Sequence, residues 1–375
     1  MLVPWFSFAL PLETAPEIRT HFKNLMEISC DETATQCFAV GMVEDKVTRN
    51  YIVYKSEDAG LTWKKNKTLF HEQPPFDAMF GYALMHIECD TSGTLCHITG
   101  TSQMLQLSLV FTTEDAGHHW TKHILPRENY TSLSTEAMAC SAAGERCLVI
   151  GGWGQVYSTQ DKGHTWLKLN NLPSATTLDN WEVDAMSDLH CSDSGLICTL
   201  VGGASYFTSQ GYVAKPVTFR TQDGGYTWSG PVALTKENNT AQIDYFSHVR
   251  CDRSGLQCIA LRYQEKFKNY VIETAVSAYV TSNGGDSWKE RGAIDNAAGD
   301  IYEPFHTLNC DDDGLRCLAI SSPAGVEDSE TLAYMSINGG ARWSKTWLKV
   351  PVGASVLDAF CDKNMSVCQA VGMIF

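Results

Sequence analysis

Three carboxylates share one offset in this 375-residue chain: counting seven residues back from the first cysteine of a recurring pair gives Asp184, Asp244 and Glu303 in successive segments. Two carboxyl groups held at a defined separation can protonate a leaving group and activate water or attack a sugar carbon, which is glycoside hydrolysis. His248 and His306 follow on the same segments, and aromatic residues are interleaved: Trp181, Tyr245, Tyr302, with Tyr82 and Trp153 at comparable places elsewhere. Acids beside aromatic plates also suit plain binding. Carboxylates accept hydroxyl hydrogen bonds while rings stack on sugar faces, and the same set suits a cation or a basic protein segment. The bland alternative is that the acids are solvated loop residues and that the histidines and aromatics pack a core.

The cysteines decide what positions these residues. All fourteen fall into seven pairs with one spacing: Cys30 and Cys37, Cys89 and Cys96, Cys140 and Cys147, Cys191 and Cys198, Cys251 and Cys258, Cys310 and Cys317, Cys361 and Cys368. A redox or metal pair is needed once, whereas a pair present in every repeat belongs to the architecture. The chain contains no CxxC, which argues against zinc, and no metal site is expected. Each pair brackets Asp, Ser or Gly and is flanked by β-prone residues, as in "VRCDRSGLQCIAL", the pattern of a hairpin. Opposed residues of an antiparallel pair lie at a disulfide-compatible distance, so seven local disulfides are expected, one clamping each hairpin. A fully paired set implies an oxidising compartment, so the chain is expected to be secreted, periplasmic or otherwise extracellular.

A second pattern alternates with the first: "SEDAGLTW", "TEDAGHHW", "TQDKGHTW", "TQDGGYTW", "TSNGGDSW" and "SINGGARW", or [S/T]-x-[D/N]-x-G-x-x-W six times. Asp or Asn can bond backbone N–H groups across a tight turn, Gly takes positive φ freely, and Trp offers a large apolar plate. This pattern resembles the Asp-box, or BNR repeat, of the sialidase-like β-propellers, a group that includes sortilin-type receptors, two-propeller xyloglucanases, YCF48-type assembly factors and several lectins. The resemblance covers nearly the whole chain. It implies an all-β fold, a single seven-bladed propeller of four-stranded antiparallel blades spanning 1–375, with the boxes as structural turns away from the binding face. Successive first cysteines lie 51 to 60 residues apart, the length of one blade.

The seventh box is missing. Trp5 stands where a box Trp would, and "PWFSFALPLETAP" resembles the segments after other boxes. Residues 1–15 are therefore expected to supply the outer strand of the last blade, whose inner strands lie in 355–375, so that an N-terminal strand closes the ring. A signal peptide is the competing interpretation; the stretch lacks a basic flank and carries Pro4 and Pro11.

Composition narrows the function. A formal charge of −15 argues against nucleic acid as a partner. No apolar stretch reaches the roughly 20 residues needed to span a bilayer. No phosphate loop, dinucleotide fingerprint or other cofactor pattern is visible. Sequons occur at Asn66, Asn129, Asn238 and Asn364. Sialidases resemble one another in an arginine triad and an Arg-Ile-Pro motif; this chain has no Arg-Ile-Pro, Arg19 being the nearest early candidate, and only Arg262 is well placed for the upper rim. The boxes and cysteines repeat while the rim residues do not, so one asymmetric site is expected on the face opposite the boxes, built from Asp184, Asp244, Glu303, His248, His306, Trp181, Tyr245, Tyr302, Trp153 and Arg262. The sequence points to a monomeric, non-catalytic propeller binding a glycan or an extracellular protein. A glycosidase using two of the rim carboxylates is the alternative.

Overall fold

The computed structural model describes residues 16–44, 49–72, 82–102, 107–126, 134–173, 182–208, 211–234, 243–268, 271–295, 305–321 and 331–374. Seven β-sheets form a seven-bladed propeller, six of them four-stranded and antiparallel with strands in sequence order from the centre outward. Blade 5 shows the plan: inner strand A (Ile243–Cys251), then B (Cys258–Lys268), C (Val271–Thr281) and outer strand D (Lys289–Asp295). All seven expected disulfides are formed, one per blade, and no cysteine is free.

Local chemistry explains why the chain turns where it does. The two cysteines of each pair oppose one another across the A–B ladder, with Cα atoms 4.0 Å apart in blade 1. The acid after the first cysteine accepts main-chain N–H groups from across the turn, as Asp252 Oδ1 does from Leu256 and Gln257 at 3.1 Å each; Ser141 and Ser192 do so through Oγ. The six octapeptide turns are equally uniform. In each, the Gly N–H donates to the leading Ser or Thr hydroxyl at 2.9–3.1 Å, and the Asp or Asn oxygen accepts an N–H four residues on at 2.8–3.1 Å. Cys37 pairs with Ser56 across B and C, and the other box-bearing blades repeat this register, so hairpins and octapeptide turns share one face, here called the lower face.

Blades interlock through the glycine of the octapeptide, which has φ between 75° and 95°. A Cβ there would sit 2.6 Å from Leu148 Cδ2 at Gly225, 2.6 Å from Ile259 Cδ1 at Gly340 and 2.7 Å from Phe38 Cε1 at Gly117. Each partner is the residue just after the second cysteine of the preceding blade; His97, Thr199 and Gln369 take the same role toward Gly163, Gly285 and Gly60. The box Trp then packs on that blade, as Trp120 does edge-on to Phe38 and Trp166 to His97. Hydrophobic clusters consequently lie between blades, such as Leu148, Ile150, Leu200 and Phe219 between blades 3 and 4.

The seventh sheet differs from the expected four antiparallel strands. Among the described residues it holds Ala354–Cys361, Val367–Ile374 and an N-terminal strand, Glu17–Phe22, which pairs parallel to Val367–Ile374. An N-terminal strand thus closes the ring, but from the third position. The direction has a simple origin: a strand that leads into an inner strand must run toward the upper face, as every D strand does, and with no C strand between them it lies parallel to B. The expected outer strand in residues 1–15 lies outside the described residues. At the seam Arg19 Nη1 and Gln369 Nε2 both donate to Ala59 O, at 2.6 and 2.7 Å, and His21 packs against Trp63.

Gly225→Ala places a methyl group into Leu148 at positive φ and should lower stability by about 2–4 kcal/mol in urea unfolding with disulfides intact. Gly314, also at positive φ but with nothing within 4 Å of a Cβ, is the control, and its Ala variant should lose only about 1 kcal/mol. Equal losses at the two sites would show that the interlock contributes nothing.

Candidate functional site

Of the three carboxylates expected on an acidic upper rim, Asp244 is the one whose side chain is among the described residues. Asp244 is wholly buried and receives both Nε and Nη2 of Arg262, at 2.7 and 2.6 Å, while Arg262 Nη1 donates to Tyr279 Oη at 2.9 Å. Both residues belong to the wall of blade 5 and not to an open rim, because they sit diagonally across the A–B ladder, whose register is Asp244↔Gln264 and Phe246↔Arg262. Tyr245, half-buried, packs against Tyr263, and burial raises its hydroxyl to about 12. Phe246 and Phe305 are core residues. Asp184 lies at an irregularity in the strand Glu182–Cys191 and its side chain is outside the described set; Trp181, Tyr302 and Glu303 fall outside the described residues.

Trp153 lies on the upper face and is 73% exposed. It sits at φ 61° and ψ 28° in a one-turn 3-10 helix, Gly152–Gly154, the whole of blade 3's B–C connection. Left-handed backbone is unfavourable for a bulky residue and is found where the surroundings hold it. The turn packs against the inner strand of blade 4. Blade 4 carries B and C strands of 11 residues each, against 5 and 5 in blade 3. At about 3.3 Å per residue the neighbouring wall stands roughly 20 Å higher, so Trp153 forms the tread of a step.

A concavity lies elsewhere, in the central channel at its lower end. A cavity of about 420 Å³ is lined by inner-strand residues of several blades, including Glu27, His86, Glu88, Asp188, His190, His248, Arg250, His306 and Asp358. His248 and His306, expected at the upper rim, thus belong to this channel. For His248 the cause is a β-bulge; the A–B pair of blade 6 has no register slip, and His306 lies four residues before Cys310. In six blades the A–B register slips at the residue four before the first cysteine, which turns the next side chain toward the axis. That next position holds Glu27, His86, Ala137, Asp188, His248 and Asp358. Two residues on, the same side of the strand carries Glu88, His190 and Arg250. Sequence inspection named His248 and His306 but assigned them to the upper rim, and by counting seven residues before each cysteine it passed over Glu27, Glu88, Asp188 and Arg250.

The groups in the channel act on one another. Arg250 Nη1 donates to Asp188 Oδ2 at 2.6 Å, and its charge is reinforced by Glu88 and Asp358 from across the channel. Burial raises the Glu88 carboxyl to about 8, with Arg250 pulling the other way. Asp358 is raised by burial and by Glu27. Burial pushes His86 down, but Glu27 Oε2 at 3.3 Å from Nδ1 outweighs it and leaves the ring more basic than usual. His190 and His248 are lowered to about 4 by burial. Among the described residues the one group of His, Cys and carboxylate donors close enough to share a metal is His97, Cys140 and Cys147, and its sulfurs are joined in a disulfide.

Comparisons with known proteins agree with the fold. No protein family matches the chain, and no curated protein does. Among solved structures it is similar to YCF48 bound to D1 peptide, with a TM-score of 0.54 and 13% identity over 94% of this chain and 93% of that one. It is also similar to two glycoside hydrolase family 74 enzymes: the Xanthomonas campestris xyloglucanase, at TM-score 0.52 and 14% identity, and the Niastella koreensis enzyme, at 0.55 and 12%. This chain spans 47% and 55% of those enzymes, matching about half of each. At such identity the likeness concerns the seven-bladed fold alone.

Two outcomes follow from the buried charges. Asp244→Ala strands the Arg262 guanidinium and should cost about 3–5 kcal/mol in chemical denaturation, the price of an unpaired buried charge; a loss under 1 kcal/mol would mean that solvent reaches Arg262. For pH, folded Glu88 keeps a proton that the unfolded chain releases near 4.3, so its contribution is lost as pH rises toward 8. His190 and His248 resist a proton that the unfolded chain takes up near 6.5, so their contribution is lost as pH falls toward 4. Melting temperature should decline on both sides of a near-neutral maximum, and Glu88→Gln should flatten the alkaline decline up to about pH 8 while steepening the acid limb above about pH 4.3. An unchanged alkaline limb would assign that decline to other groups.

Proposed function

We propose that the chain is a non-catalytic, ligand-binding propeller of an oxidising extracellular compartment, engaging a glycan or a protein segment on its upper face. The observation that carries this reading is Trp153, an exposed aromatic plate held in left-handed backbone at the foot of a tall neighbouring wall. A strained, exposed tryptophan gives a fold no packing energy, and aromatic anchors of this kind dominate binding surfaces. The step beside blade 4 suits an extended ligand laid across the ring. YCF48, similar in fold, is bound to D1 peptide, and a similar solved structure is a glycoside hydrolase family 74 xyloglucanase, so peptide and glycan are the two ligand classes proposed. Asp184, Glu303, Trp181 and Tyr302, whose side chains lie outside the described residues, remain proposed contributors to this surface.

The glycosidase alternative is weakened by Asp244. An acid locked bidentate to Arg262 in the wall is unavailable as nucleophile, base or proton donor, so hydrolysis would rest on Asp184 and Glu303 alone.

A glycan array and an extended-peptide array, each probed with the oxidised protein and with Trp153→Ala, test the proposal. Binding to one array that falls by tenfold or more in the variant is the expected result. Binding that survives the substitution would remove Trp153 from the site, and turnover of a bound glycan would overturn the non-catalytic assignment.

A further inference from the structure

Blade 6 is seated differently from its neighbours at the lower face. Main-chain bonds join successive Cys hairpins there: Lys363 N donates to Glu32 O, Glu32 N to Thr91 O, Thr91 N to Ala142 O, Ala142 N to Asp193 O and Asp193 N to Arg253 O, at 2.9–3.1 Å. Among the described residues the two bonds that would complete the ring, Arg253 N to Asp312 O and Asp312 N to Lys363 O, are not made. Long side chains span the breaks instead, Arg253 Nη2 reaching Asp312 at 2.6 Å and Arg316 Nη1 reaching Asn364 O at 3.3 Å.

The left-handed residue of each hairpin shows the same exception. A Cβ at Gly93, Gly144, Gly195 or Gly255 would lie 2.8–3.0 Å from Gln36, Leu95, Arg146 or Ile197, in each case the residue before the second cysteine of the preceding blade. Met365 and Ala34 hold that place in blades 7 and 1 and are buried. Gly314 of blade 6 has nothing within 4 Å of its Cβ position. Gln257, which by the repeat should meet it, instead lines a cavity of about 510 Å³ between blades 5 and 6.

One wall of this cavity is the lower end of blade 5, with Arg250 from strand A, Ile259 from B, Val280 from C and Lys289 from D; the other is blade 6, with Leu315 and Gly339 from its two turns. It is therefore a radial groove crossing four strands. At about 4.8 Å per strand it is about 14 Å long, the reach of about four extended residues. Its floor is apolar, with Ile259, Val280, Trp288 and Leu315, the last 55% exposed. Its charge is positive. Among the described residues the lining holds one acid, Asp313, against Arg250, Lys289 and Arg291. Arg250 is committed to Asp188, but Lys289 has no ion pair among the described residues and Arg291 donates to Asn338 O alone, at 3.4 Å. In a chain of formal charge −15, two uncommitted cations over an apolar floor are complementary to an anionic, apolar ligand.

We infer that the groove between blades 5 and 6 docks an extended acidic peptide, with a carboxylate at Lys289 and Arg291 and an aliphatic or aromatic side chain against Trp288 and Leu315. The side chains of Gln257, Thr281 and Ser287 along the same groove supply hydrogen-bonding partners for a peptide backbone, which a bare alkyl chain would leave unmet. This surface is on the face opposite Trp153 and does not rest on the upper-face proposal.

The test is a printed array of capped octapeptides of random sequence, probed at low salt with the oxidised protein, with Trp153→Ala, with the double variant Lys289→Ser/Arg291→Ser, and with Ser282→Trp, which places a bulky ring in the groove. Lys289 and Arg291 are exposed, and the position of Ser282 carries Glu57, Glu114, Gln160, Gln222 and Ile337 in the other octapeptides, so both groove variants are expected to fold; melting curves check this. A set of octapeptides with Asp or Glu beside Leu, Ile, Phe or Trp should bind, and each groove variant should lower their signal by roughly tenfold or more while Trp153→Ala leaves it unchanged. Titration of the strongest octapeptide and of decanoate into the same proteins separates a peptide from an aliphatic acid. Absence of any bound octapeptide, binders without acidic residues, or a signal indifferent to the groove variants would overturn the inference. So would peptide binding lost only in Trp153→Ala, which belongs to the upper face, or decanoate bound more tightly than the octapeptide and lost in the groove variants.

Discussion

A ring of blades leaves the inner edge of every sheet without a strand to pair with. Strand A hydrogen-bonds outward to B, and its remaining N–H and C=O groups face the axis or the next blade, where an unmet group is costly. The structure meets them sideways. Asp358 accepts the N–H of Ile28, Asp188 that of Val249, Glu136 that of Met186 and Ser29 that of Cys89, while Asn309 donates to the carbonyl of Ala359. Each bond runs from one blade to the next. The polar residues of the channel are thus first a solution to the edge problem, and their remaining oxygens are used locally as well: Asp188 Oδ1 accepts the N–H of Leu189 at 2.9 Å.

This double duty explains why the channel departs from the repeat. Hairpins and octapeptide turns have one task in every blade and keep one sequence. The inner strands have the same task at their edges but can meet it with Asp, Glu, Ser or Asn, so the residues are free to differ, and the cavity inherits an uneven charge. The residues after the first cysteine show the contrast on a small scale. The first of them is Asp or Ser in every blade, because it closes the turn; the second runs Asp193, Arg253, Asp312, Lys363, Glu32 through successive blades, alternating in sign as neighbours pair.

How much was legible in the sequence follows the same division. Cysteine spacing and the octapeptide carry the fold, because each is a local turn whose residues do the work themselves. Ring closure was legible in outline, since the missing seventh box demanded a strand from the other end of the sequence; its place beside B depends on which strands are present in that sheet, which no local signal encodes. The site was the least legible. Asp244 and Arg262 looked like two rim residues because nothing in the sequence says that positions 18 apart face each other across a ladder and neutralise one another. Glu88 and Arg250 were not singled out, and the bulge that six blades share three to four residues before the first cysteine has no residue type of its own.

The shortness of the disulfide loops has a consequence for how the molecule is made. Fourteen cysteines can be joined in about 135,000 ways. Every native bond spans a sequence separation of 7, however, and a short loop closes far more readily than a long one. Each hairpin can oxidise as it emerges, before a distant thiol is available to compete, so the correct pairing is reached blade by blade without a search. The one step that is not local is the last, when Glu17–Phe22 meets Val367–Ile374. Until then the blades form an open arc with its sulfur chemistry already finished, and assembly of the ring is a matter of two distant strands finding each other.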